Sequence, residues 1–259
     1  MNKRCKTVKQ FINYSFVVCF ILFNSSCGLD TFYVIDPPYS GSNKPSEDEN
    51  SSGTSLGYAE RYFSFQTNEK NVSGFTFSGT DVYYKIYKSS SVMKSEVSNI
   101  NSLTATSNAS DKLIHTYKYQ KLKALIKNFE NSSVLIPSEN RNRTVVIRLT
   151  DYLSGSDFAS KILIDGNNPY NSLVRVVPVR YQSNRTFNFG RNGENDVVPA
   201  NDNEADGNLD VNMSGSSSDA RWYVAMFAVG VGVDTLFKEI YSTPLFLGTI
   251  LIDSSSAYN

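Results

Sequence analysis

Alternation of apolar and polar residues at a period of two limits this chain more than any other feature. "RYFSFQ" (61–66) puts Phe63 and Phe65 on one face and Tyr62, Ser64 and Gln66 on the other. "GFTFSG" (74–79) does the same with Phe75 and Phe77, and "DVYYKIYK" (81–88) sets Val82, Tyr84 and Ile86 against Tyr83, Lys85 and Tyr87. Successive side chains on a strand point to opposite faces. Such runs, parted by glycine and asparagine turns, therefore mark half-buried antiparallel strands. The pattern returns in "VLIP" (134–137), "RTVVIRLTDY" (143–152), "SKILIDG" (160–166) and "SLVRVVPVRY" (172–181). Pro178 has no N–H to give a ladder, which makes the last an edge or bulged strand. "RTFNFG" (185–190) follows. "RWYVAMFAVGVGVD" (221–234) is apolar on both faces and reads as a central strand; "KEIYSTPLFLGTILID" (238–253) pairs with it across a turn near Thr235.

Two stretches break the rhythm. In "SSVMKSEVSNINSL" (90–103), Val92, Met93, Val97, Ile100 and Leu103 recur at helical spacing, which predicts a short amphipathic helix. "DKLIHTYKYQKLKALIKN" (111–128) fits helix or strand, and its second half is assigned to helix. A helical insertion over about 89–130 is the expectation. Residues 190–219 are polar, acidic and glycine-rich, and are expected to form a long mobile acidic loop.

Short strands at regular spacing argue for an all-β fold, an elaborated antiparallel β-sandwich with one or two short inserted helices. The succession "DVYYKIYKS", "WYVAMFAVGVGVD" and "EIYSTPLFLGTI" resembles fibronectin type III and other immunoglobulin-like sandwiches over about half of residues 58–259. Trp222 departs from that pattern, since the family carries its core tryptophan early.

The N-terminus has a different character. Lys3, Arg4, Lys6 and Lys9 precede the apolar run "FINYSFVVCFILF" (11–23), and "NSSC" (24–27) closes it. A basic segment, about 7–15 apolar residues and small residues before a cut form the layout of a secretory signal. The run is shorter than the roughly 20 residues that span a bilayer. The three cysteines are Cys5, Cys19 and Cys27, with none afterwards. A cysteine nucleophile, thiolate metal cage or disulfide framework within residues 58–259 is thereby excluded.

Ser25, Ser26, Cys27 and Gly28 resemble the lipobox of bacterial lipoproteins, in the loosened form found in spirochaetes; Asn24 stands where leucine is usual. The resemblance covers about 27 residues. It implies cleavage before Cys27, a covalent lipid on its thiol and attachment to a bacterial membrane at the cell envelope, with the outer membrane expected. The signal would be residues 1–26. Residues 27–57 would form the lipidated N-terminus and a tether, since "GSNKPSEDENSSGTSLG" (41–57) lacks the apolar residues to bury a core. The sandwich domain would occupy 58–259. Sandwich lipoproteins of spirochaetes share this layout.

Few residues suggest further chemistry. Charge is balanced at 25 basic and 25 acidic residues, which gives no reason to expect a nucleic-acid partner. The single histidine, His115, has no nucleophile or second metal ligand near it in sequence. "GVGVD" (230–234) lacks the third glycine and following helix of a dinucleotide site, so no nucleotide is expected; Gly230 and Gly232 are assigned to close packing or a bulge. "DNEADGNLD" spaces Asp202, Glu204, Asp206 and Asp210 about Gly207 in the manner of a calcium loop, but Met213 occupies the place of the closing glutamate. These four carboxylates are the calcium set to test; otherwise no cofactor and no catalytic residue is assigned. Arg141, Arg143, Arg148, Arg175, Arg180, Arg185 and Arg191 would receive an anion if they shared a face, and otherwise occupy solvent-facing sheet positions. Outward Tyr83 and Tyr87 are either a binding surface or ordinary cross-strand pairs.

The function expected is binding or adhesion to a protein or glycan at the envelope, without enzyme activity. A structural envelope component that partners membrane proteins is the alternative. A glycoside hydrolase built on carboxylates alone ranks third, because no pair of acids stands out.

Overall fold

The computed structural model describes residues 34–48, 55–69, 74–103, 108–125, 134–152, 158–169, 175–181, 185–190, 197–206, 208–215 and 220–253. In chain order its elements are β1 (Tyr39–Ser40), α1 (Ser55–Ala59), β2 (Phe63–Gln66), β3 (Phe75–Tyr87) and α2 (Ser90–Asn101). Then come α3 (Ala109–Asp111), which continues as a π-helical turn over Lys112–Thr116, β4 (Gln120–Lys121), β5 (Lys123–Leu125), β6 (Ile136–Pro137) and β7 (Thr144–Arg148). The last are β8 (Lys161–Ile164), β9 (Val177–Val179), β10 (Val211–Asn212), β11 (Arg221–Asp234), β12 (Glu239–Tyr241) and β13 (Leu245–Asp253).

The fold is an all-β sandwich with short inserted helices. One sheet runs β1-β2-β7-β8; the other is built on β3 and β11, with β13 and β12 along the far side of β11 and β10, β4 and β6 along β3. Almost every pairing is antiparallel. The exception is β10, which runs parallel to the end of β3 with Val211 opposite Ile86. A small separate pair joins β5 to β9, where Pro178 lies opposite Ala124. That is the edge position its missing N–H demands.

Alternation builds the space between the sheets. Phe63, Phe65, Val145, Ile147 and Ile162 meet Val82, Tyr84, Ile86, Val224, Met226, Ile250 and Ile252, with Trp222, Phe187 and Phe189 filling one end. "GFTFSG" and "DVYYKIYK" are one strand rather than two. Gly79, at φ +146°, carries a bulge that lets β3 continue opposite β11.

The opposite face of the β3–β11 sheet is buried as well. Met93, Val97 and Ile100 of α2, with Leu113 and Tyr119, cover Tyr83, Tyr87, Ala225, Phe227 and Val229. Tyr83 and Tyr87 are therefore interior residues, 6% and 0% exposed, and not a binding surface. The amphipathic stripe of α2 needs an apolar floor, and this face of the sheet supplies it. Ser89 caps the helix: it lies in an extended conformation and its hydroxyl accepts from the Val92 N–H. The second half of 111–128, assigned to helix, is strand as far as it is described. Residues 109–116 are helical, and 120–125 form strands along β3 and β9. Leu122 N–H donates to Val82 O (2.8 Å), so a free sheet edge takes up a segment whose periodicity allowed either state.

Part of the predicted tether is laid against the domain. Tyr39 pairs with Gln66, the Asn43 side-chain amide donates to Glu60 O and Tyr62 O, and Thr249 N–H donates to Pro45 O (2.8 Å). Residues 34–48 hold to the domain by these edge hydrogen bonds and by burying Ile35 against β11; Pro38 and Pro45 are buried as well. A Cβ on Gly230 or Gly232 would come within 3.0 Å of Ile35. The two glycines are thus sites of close packing.

Candidate functional site

The acidic stretch that carries the four carboxylates of the calcium test set is tied to a buried arginine. Arg180, just after β9, grips Asp210 with a fork: Nε to Oδ2 at 2.7 Å and Nη2 to Oδ1 at 2.6 Å. Tyr84 O–H donates to the same Oδ2 (2.5 Å), and Tyr181 N–H donates to the Tyr84 hydroxyl (2.9 Å). Both charged side chains are withdrawn from solvent, at 1% and 0% exposure. Burial opposes the charge on Arg180, but its bonds to Asp210 outweigh that and hold the guanidinium above its ordinary pKa.

Around this pair, Asn208 accepts from Arg180 and Arg185, and its amide donates to Asn201. Arg185 also donates to Asp206 O (2.6 Å). Ile86 N–H donates to Asp210 O (2.8 Å), which brings the segment onto β3 and makes β10. The part of 190–219 around Asp210 is consequently fixed, not a solvated loop. Asp210 has both oxygens occupied by Arg180 and Tyr84, so it turns inward to a cation of the protein itself. Asp202, Glu204 and Asp206 remain on the outside, and Gly207 lies outside the described residues. Among the described residues, no three histidine, cysteine, aspartate or glutamate side chains gather as a metal would require.

The other arginines have separate tasks rather than a shared face. Arg143 is buried against Glu69 (3.0 Å). Arg148 donates to Tyr58 O and Ala59 O, the carbonyls at the end of α1, where a cation is favoured. Arg175 meets Asp151, and Arg141 bridges to Asp165 and Glu139 on the surface. Arg191 lies outside the described residues, as does Cys27. Arg143, Arg148 and Arg180 are buried rather than solvent-facing, each drawn inward by a carboxylate or by helix-end carbonyls, whereas Arg141 and Arg175 stay exposed. A buried arginine absent from the expected set is Arg61, whose guanidinium lies 4.9 Å over the Tyr58 ring and 5.2 Å over the Tyr152 ring. His115 is exposed and faces Asp111 one helical turn away.

Glu69 gives the fold an acid-sensitive joint. Burial alone would raise its pKa, but the Glu139 N–H, the Arg143 guanidinium and the Ser138 hydroxyl together bring it below the ordinary value. A carboxyl depressed in the folded state stabilises the fold above its unfolded pKa, about 4.3. That stabilisation is lost as pH falls through the folded value. Thermal melts should therefore fall between neutral pH and about pH 3, and Glu69→Gln should show a shallower acid dependence from a lower neutral-pH melting point.

A surface groove of about 370 Å³ opens along the outer side of α2. Ser91, Val92, Ser95, Glu96, Asn99 and Tyr117 line it. Glu96 forms its floor, accepting from Lys85 Nζ (2.8 Å) and from Tyr87 O–H (2.9 Å). Lys85 also donates to Tyr117 O (2.7 Å), which fixes the wall opposite the helix. Ser91, Ser95 and Asn99 offer hydrogen-bonding groups there, while Val92 and the Tyr117 ring add apolar surface. Helical spacing predicts α2 but gives no sign of this groove, because Tyr117 comes from a segment whose path the sequence leaves open. No family model, curated protein or solved structure matches this chain.

Proposed function

We propose that this protein is a bacterial cell-envelope lipoprotein that holds a binding domain at a membrane through lipid on Cys27. The observation that carries the reading is the run from basic residues through "FINYSFVVCFILF" to a last cysteine at position 27. Two or three acyl chains hold a protein firmly where one holds it only marginally, at about 0.8 kcal/mol per buried methylene. Lipid on Cys27 would serve as the anchor without a membrane-spanning helix.

The domain works by adhesion or ligand binding, not by catalysis. Support comes from the way its reactive side chains are spent. Arg143, Arg148 and Arg180 close internal pairs or helix carbonyls, and Glu96 is tied to Lys85 and Tyr87. The groove beside α2 is the contact surface assigned to a protein or glycan ligand. The test is protease treatment of intact host cells, with the parent compared to Cys27→Ser. Adhesion requires the parent domain to be membrane-bound and cut from outside, and Cys27→Ser to leave the lipid phase. A parent that is membrane-bound but fully shielded would instead indicate an internal structural component of the envelope.

A further inference from the structure

We propose that the β11–β12 hairpin tip is a second membrane contact, inserting Leu236 and Phe237 into the bilayer that holds Cys27; this rests on the anchor reading above. Leu236 is 84% exposed and Phe237 89%, the two most exposed large apolar side chains among the described residues. Exposed apolar side chains that adjoin one another, and are held in place, point to a contact site where single scattered ones do not. Here they are held. Asp234 Oδ1 accepts from both Leu236 N–H (2.8 Å) and Lys238 N–H (2.9 Å), and Phe237 N–H donates to Asp234 O (3.1 Å). Phe237 is held at φ +61°, a region a bulky residue rarely adopts. The turn therefore projects two apolar side chains on a braced loop.

The occupant follows from where the chain begins its path over the domain. Ile35 packs against Gly232, two residues before Asp234, and exposed Val34 precedes it. Asp234 itself lies opposite Phe75, the first residue of β3. The hairpin tip and the start of the described chain thus share one end of the long sheet. Seven peptide units separate Cys27 from Val34, a reach of at most about 25 Å. A lipid on Cys27 would keep this end near the bilayer surface, within range of the tip. Lys238 beside Phe237 is exposed, but Asp234 and Glu239 lie in the same turn and offset its charge, so the contact proposed is apolar and carried by Leu236 and Phe237. The other end, where Tyr87 meets Asn212 and α2 starts, lies about 40 Å away along a 13-residue strand. The groove beside α2 lies toward that end, since Glu96 is bonded to Tyr87 and Lys85, and would face away from the membrane.

The experiment uses the processed lipoprotein purified from host membranes and reconstituted into phosphatidylcholine–phosphatidylglycerol vesicles, with or without bromine on the acyl chains. Phe237→Trp is compared with Ser214→Trp at the far end; the native Trp222 is buried and supplies a constant background. Both substitutions are at exposed turns, so the fold is retained. Brominated lipid should cut the added emission of Phe237→Trp by roughly half, and leave Ser214→Trp unchanged, as expected for insertion about 5–10 Å deep. Acylation is checked by mass on the same samples. An acylated Phe237→Trp protein without quenching, or with quenching equal to Ser214→Trp, overturns the inference and leaves the anchor standing. A protein without acyl groups overturns both. Loss of a dimer in detergent upon Phe237→Ser would assign the tip to a second copy and likewise overturn it.

Discussion

Asp210→Asn should destabilise the domain by about 3–5 kcal/mol, the cost of leaving one member of a buried pair without its partner. Arg180 is 1% exposed, and its Nε and Nη2 each donate to a different oxygen of Asp210. Removing the charge from Asp210 leaves a guanidinium in a site closed by Tyr84 and Asn208. For a domain of this length the melting point should fall on the order of 10 °C. Two companions separate charge from shape. Tyr84→Phe keeps the pair and removes one donor, so it should cost about 1–2 kcal/mol. Arg180→Met with Asp210→Leu removes both charges at similar volume and should recover most of the loss, because a buried pair adds little over a well-packed apolar one. Urea denaturation of the four proteins measures all of this. A cost near zero for Asp210→Asn would mean that the segment around residue 210 is not closed over Arg180 in solution.

Phe227→Ala should cost a further independent 3–5 kcal/mol, as expected for truncating a fully buried aromatic, about the largest single-residue effect in a core. Phe227 is 0% exposed, on the face of β11 beneath α2. Its ring packs edge-on against Tyr119 (5.3 Å) and lies 5.1 Å from Phe246. If that face were open to water, as a one-sided sheet would have it, the substitution would move stability by no more than about 0.5 kcal/mol. The measured cost therefore reports directly on whether helices cover the sheet.

That contrast shows what the sequence made legible. The strands are visible wherever one residue in two is apolar, and the pairing of β11 with β13 follows from their lengths and the turn between them. The cover over the tyrosine face was also implied: Ala225, Phe227 and Val229 alternate with the inward set on β11, which makes the central strand apolar on both sides. In the structure β3 runs along β11 with Tyr83 opposite Phe227 and Tyr87 opposite Tyr223, so its tyrosine face lies under the same cover. Tyrosine's polar hydroxyl masks this in a hydropathy pattern; in the structure Tyr87 O–H finds Glu96 and Tyr119.

Other parts had no local signal. Asp210 and Arg180 are 30 residues apart, and a carboxylate among Asp202, Glu204 and Asp206 looks solvated until its partner is known. The docking of residues 34–48 depends on an open edge at β2 and on the missing side chains of Gly230 and Gly232, and polar composition hides both. The groove beside α2 arises only when Tyr117 folds back over Lys85. Long-range polar pairs and close backbone approaches are set by topology, and one chain read alone does not encode them in any fixed spacing.

An intact mass and N-terminal analysis of the mature protein taken from host membranes tests the central claim most directly. The account predicts a polypeptide that starts at Cys27 and is heavier than its sequence by covalent glyceride and fatty acid. A mature chain that starts elsewhere, or a Cys27 without acyl groups, would contradict it.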